Sequence, residues 1–261
     1  MVLKALRKKD RTFDVCMDAV QRDPYELKYV PKKVLSREIC LAALARNGLA
    51  LQKLDRKRRE YEFCLVAVRS RGEALRFVPE HMRTTSLCIA AVRNHAGSFV
   101  EVPLTSLTAR FFEETIDVLP LSSTPPSLRD IALCRRAVAI NGSNLEAVPH
   151  ELIMPDLCLT AVQQDGLALQ YVPGIMRSET VCRAAIEQNP AALEFVPIRL
   201  RTGGLCLKAV ALDGLALRHV PSTMRKEDLC RVAVAQNSAA LKFVPRSRQG
   251  LFSHITESCS G

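Results

Sequence analysis

The sequence predicts an all-α fold, an α-solenoid of about ten 24-residue two-helix repeats, and three observations carry that prediction. Cys158, Cys182, Cys206 and Cys230 stand 24 residues apart, and each opens a version of one phrase, LCLTAVQQDGLALQYVP in the first. Apolar side chains fall at −1, 0, +3 and +4 from each cysteine, which is the spacing of one helix face. The +3 residue is Ala in all nine cysteine-bearing repeats, from Ala19 to Ala233, so neighbouring helices approach closely on that side.

Taken in order, residues 1–11 read as an N-terminal cap and residues 12–107 as repeats one to four, opening at Thr12, Ser36, Glu60 and Thr84. Four residues before the cysteine, seven of the ten repeats place Ser, Thr or Asp, the side chains that cap a first helix. That helix stops at cysteine +7, where Asp or Asn stands in Asp23, Asn47, Asn141, Asp165, Asn189, Asp213 and Asn237. Gly usually follows, but Pro24 and Pro190 share the slot, so its φ is negative and it opens a second helix. This second helix, with Leu at +11 and Val at +14, is short enough to be 3₁₀ in part and ends at a Val-Pro pair.

Residues 108–129 form a degenerate fifth repeat. Phe112 takes the cysteine slot, the next cysteine comes 22 residues later, and Pro120, Pro125 and Pro126 deny a normal second helix. Two readings stand: a local irregularity in one stack, or a joint between two stacks. The register slip coincides with a change of charge, which favours the joint. Repeats six to ten occupy residues 130–249, and residues 250–261 read as a C-terminal cap and tail.

An apolar share of 48%, no Trp and 5% aromatics favour small-residue helix packing over a large aromatic pocket. No apolar run approaches the roughly 18 residues of a membrane span. The first residues lack a signal-peptide pattern, so the expected address is a cytoplasm, or a host cell reached by export without a cleaved signal. Nine cysteines fall one per layer; packed helices lie about 8–10 Å apart, beyond the roughly 7 Å limit for a bridge, so they are expected as buried thiols. Cys259 is the exception and is expected to be exposed. The net charge of +10 lies entirely in the first 110 residues, which hold 22 Lys+Arg against 12 Asp+Glu.

With these columns in place, the chain resembles the bacterial repeat family known as domain of unknown function 4116, with a looser similarity to the leucine-rich repeat variant. The phrases GLALQYVP at 166–173 and NGLALQ at 47–52 carry the resemblance, which covers about residues 12–249. It implies a helical tandem array with no established activity and no catalytic residues to carry over. It also implies a bacterial protein, for which an effector-type role inside a host cell is plausible.

Three sets of residues are candidates for partner binding. Tyr29, Phe77, Tyr171, Phe195, His219 and Phe243 stand at cysteine +13, where they line a groove or seal the seam between layers. Arg59, Arg83, Arg177, Arg201 and Arg225 stand at +19, placed to bind acidic or phosphate groups or to cap helix carbonyls. Arg56, Lys57, Arg58 and Arg59 form a basic run that, with Lys8, Lys9, Lys32 and Lys33, makes a basic patch. Catalysis has little support: the five histidines occupy unrelated slots, and no nucleophile, phosphate-loop or metal-ligand motif occurs. The expectation is a non-enzymatic scaffold without cofactor or metal that binds a protein or peptide, acidic in character. The alternative is a sequence-independent binder of nucleic-acid backbones, which steep salt dependence would reveal.

Overall fold

The computed structural model describes residues 3–252 and forms two compact units, Met1–Leu119 and Pro120–Gly261. Cys259, His254 and most of the terminal stretch 250–261 lie outside the described residues. Helices of two kinds build both units, and no strand occurs among the described residues.

The first unit holds α1 (Phe13–Arg22), α2 (Arg37–Arg46), α3 (Tyr61–Ser70), α4 (Thr85–Asn94) and α5 (Ala109–Thr115). The second holds α6 (Ile131–Ile140), α7 (Pro155–Gln164), α8 (Glu179–Gln188), α9 (Gly203–Leu212), α10 (Glu227–Gln236) and the short α11 (Arg246–Gln249). Within each unit, successive α-helices up to α10 pack side by side. Six of the seven predicted hydroxyl or carboxylate caps accept the backbone N–H three residues on, from Ser36 to Thr202. Thr12 has no such bond.

The second helix of each regular repeat is 3₁₀ throughout and six residues long, as in Gly48–Lys53 and Gly166–Tyr171. Such runs are unusually long for this geometry. Each of the seven Asp or Asn side chains at +7 accepts the N–H two residues on, which fixes the entry, and the helices then stack on one another. Every described glycine has negative φ. The glycines that open these 3₁₀ helices are there for space: a Cβ on Gly166 would lie 2.9 Å from Cβ and N of Asn189 and closer still to the carbonyl oxygen of Ala185.

The two-helix repeat needs one addition. A third element, a single 3₁₀ turn, follows the Val-Pro pair in most repeats, as in Glu80–Met82, Gly174–Met176, Ile198–Leu200 and Ser222–Met224, and follows Leu54-Asp55 in the second repeat as Arg56–Arg58. In the fifth repeat, Leu121–Ser123 stands where a six-residue helix would be.

The cores follow the columns. Cys16, Cys40, Cys64 and Cys88 are buried in the first unit with the +3 alanines, and Phe111 and Phe112 close its last layer against Phe99, with ring centroids 5.2–6.4 Å apart. Cys134, Cys158, Cys182, Cys206 and Cys230 do the same in the second. All nine are free thiols. Where a layer departs from the repeat, a buried polar side chain replaces the usual Ala at +10. Glu26 accepts from the N–H of Leu3 at 2.6 Å, and Asn144 accepts from that of Leu121 at 3.0 Å.

Candidate partner-binding groove

The arginine column sits where the turn returns to the next α-helix, and its guanidinium groups face backbone. Arg201 donates from Nε to the carbonyl of Val196 (2.9 Å), from Nη2 to that of Glu194 (2.9 Å) and from Nη1 to that of His219 in the next layer (2.8 Å). Arg59, Arg83, Arg177 and Arg225 repeat this triple contact, and so does Arg129, which the two-residue slip had hidden from the column. Each arginine therefore staples one 3₁₀ helix to its neighbour. A guanidinium has five N–H groups, so these three bonds still leave two.

The aromatic column ends the same 3₁₀ helices. Tyr29, Phe77, Tyr171, Phe195, His219 and Phe243 are all half-buried. The carbonyls of Phe77, Phe195, His219 and Phe243 accept the staples, and Arg11 supplies the one on Tyr29. Lys28, Arg76 and Lys242 lie over the rings of Tyr29, Phe77 and Phe243 at 5.0–5.7 Å. Burial and the adjacent Arg218 hold His219 below its ordinary range, in keeping with its Nε2 accepting from Arg218 Nε at 2.6 Å. Burial, then Glu146, raises the phenol of Tyr171.

One surface brings several of these residues together. A groove of about 760 Å³ in the first unit runs across the second and third repeats, lined by Arg56, Lys57, Arg59, Arg76, Arg83 and Phe77, with Gln52, Val78, Pro79, Glu80 and His81 completing it. Five cationic side chains thus face one carboxylate, Glu80. Arg56 and Lys57 are exposed and have no hydrogen-bond or ion-pair partner among the described residues; Arg76 is exposed and lies over Phe77. Burial, then the charge on Arg56, pulls the Arg59 guanidinium below its ordinary value. Like charges crowded beside a partly desolvated cation make a local positive field that an incoming anion relieves.

The basic run does not act as one surface. Arg58 turns away from the groove into a separate notch with Arg37, Cys40, Glu60 and Phe63. It occupies the slot that Met82, Leu152, Met176, Leu200 and Met224 fill elsewhere. Arg177, Arg201 and Arg225 belong to the second unit and do not line this groove, nor do Tyr29, Tyr171, Phe195, His219 and Phe243. Arg76, which the groove does include, escaped the sequence reading. The signal was present, since Arg76 and Gln52 share cysteine +12 in consecutive repeats.

The nine described thiols are buried and free. Burial pushes Cys40, Cys64 and Cys158 up to about 11, and the sulfurs of Cys16, Cys64, Cys88 and Cys230 contact the carbonyl five residues earlier. Among the described residues, no three His, Cys, Asp or Glu side chains group so as to hold a metal ion, and no helix is long and apolar enough to cross a membrane.

Fold and groove define a helical-repeat protein. The family model described as "Domain of unknown function (DUF4116)" matches residues 36–83 and 155–201, so these two segments are similar to the repeats of that family. Every residue lining the groove falls within the first match. No curated protein and no solved structure matches the chain.

Proposed function

We propose that this protein is a non-enzymatic recognition scaffold whose basic groove, in the first unit, takes an acidic segment of a protein partner. The observation that carries this reading is the groove itself: Arg56, Lys57 and Arg76 project unpaired charge beside Phe77, Val78 and Pro79. Exposed cations give an acidic chain orientation and rate, while the apolar floor gives it area to bury. Arg59 and Arg83 hold the backbone beneath and lend their remaining donors. Within this reading, an effector-type interaction protein is the biological class that the family resemblance implies.

The test compares binding of a fluorescein-labelled Glu-rich peptide by the wild type and by the triple variant Arg56→Glu, Lys57→Glu, Arg76→Glu. These side chains are exposed, so thermal unfolding should be nearly unchanged. Arg59 is left intact because replacing a staple would confound binding with folding. Loss of peptide binding in the variant supports the reading. Binding of oligothymidylate but not of peptide, with a steep salt dependence, would replace it with backbone-directed nucleic-acid binding.

A further inference from the structure

We infer that the groove reads acidic side chains at every third residue of an extended partner segment, one per 24-residue repeat; this rests on the reading of the groove as an acidic-segment site. The argument starts from three slots on one edge. Cysteine +12, +16 and +17 all face the groove in two consecutive layers: Gln52, Arg56 and Lys57 in one, Arg76, Glu80 and His81 in the next. The preceding layer fills the same slots with Lys28, Lys32 and Lys33, all exposed. Its 3₁₀ helix, Pro24–Tyr29, packs on Gly48–Lys53, which packs on Gly72–Phe77. Three successive layers of the first unit therefore present at least one cation each within these three slots, at +17 in the first two layers (Lys33, Lys57) and at +12 in the third (Arg76).

Packed helices lie about 8–10 Å apart, so the layers, each with a cation in one of these slots, recur at about that interval. An extended strand advances about 3.3 Å per residue, and a polyproline II segment about 3.1 Å with three residues per turn. Three residues of either span one layer. In polyproline II every third side chain also returns to the same face. A helical partner would advance about 1.5 Å per residue and need about six residues per layer, which at 3.6 per turn rotates the next acid away from the groove. The edge thus favours a polyproline II ligand whose acidic residues recur at i, i+3 and i+6, since in a β-strand the i+3 side chain faces the opposite way. Phe77 and Pro79, between cationic layers, contact the intervening residues.

The experiment uses the full chain and three fluorescein-labelled peptides of equal length and composition. One carries Glu at every third position, one at every second, and one in a single block. Fluorescence anisotropy near physiological salt should show the first binding at least about fivefold tighter than the other two, the difference expected when several exposed ion pairs align at once. Lys57→Glu and, separately, Lys33→Glu should each erase that preference while leaving the circular dichroism spectrum unchanged. Equal affinity for all three peptides would overturn the spacing and leave the acidic-segment reading standing. Binding of none, with oligothymidylate bound instead, would overturn both.

Discussion

Replacing Arg201 with Met tests whether the staples hold the layers together. The change deletes three bonds of 2.8–2.9 Å, two to the carbonyls of Glu194 and Val196 and one to His219 of the next layer. A hydrogen bond to a charged group contributes about 1.5–3 kcal/mol. Arg201 is half-buried, so water can re-solvate part of what is lost, and the Met side chain preserves the packing of the aliphatic stem. A net loss of about 2–4 kcal/mol follows from these terms. Arg201→Lys should recover no more than about half, because an ammonium cannot reproduce the planar fork. Urea unfolding gives the total loss. Native-state hydrogen exchange should place it at α8 and α9, since neighbouring repeats in an array can open separately. The exposed Arg199→Met is the control. If Arg201→Lys matched the wild type, or Arg201→Met fell within about 0.5 kcal/mol of the control, the fork geometry would not be what joins the repeats.

Two further outcomes follow from the packing. Gly166→Ala drives a Cβ against backbone of the next layer and should cost about 1–3 kcal/mol, whereas Gly174→Ala, with nothing within 4 Å, should be neutral or slightly stabilising by urea titration. In a Cys259→Ser background, the thiols should resist a thiol reagent at pH 8 until denaturant is added. Cys40, Cys64 and Cys158 titrate near 11 when folded against 9.0 ordinarily, so the unfolded chain loses its protons first. Stability is therefore complete below about pH 9 and falls as pH rises toward about 11, which urea midpoints across that range will show.

The period, the caps and the buried cysteine face were legible because each rests on residues recurring at the same slot. What the sequence did not disclose is what a recurring residue touches. Arg177 and Arg201 share a column whether they face a ligand or a carbonyl, and only coordinates distinguish the two. The turn Gly174–Met176 was missed because three residues are too few for helical periodicity to register. Gln164, Gln188 and Gln236 form a ladder that donates to carbonyls of the preceding layer, yet a polar residue near a helix end reads as ordinary surface. The staple column also tolerates Leu35 and Leu107, which are half-buried, and Ile153, which is buried.

Recognition, on this view, resides in the slots that the stack leaves free. Cysteine, Ala, Leu and Val columns are buried and the arginine column is tied to backbone, so +12, +16 and +17 can vary without disturbing the fold. In the second unit the +17 slots of three successive layers hold Ile175, Arg199 and Thr223, all exposed, with Glu194 at the middle +12. If slot chemistry suffices for binding, Ile175→Lys, Thr223→Lys and Glu194→Gln should reproduce in the second unit the arrangement of Lys33, Lys57 and Gln52. Introduced into the variant lacking Arg56, Lys57 and Arg76, these changes should restore binding of the every-third-Glu peptide to within about tenfold of wild type, measured by anisotropy. A graft that folds normally and binds nothing would show that the groove depends on something peculiar to the second and third repeats, with the floor at Phe77 and Pro79 the first place to look.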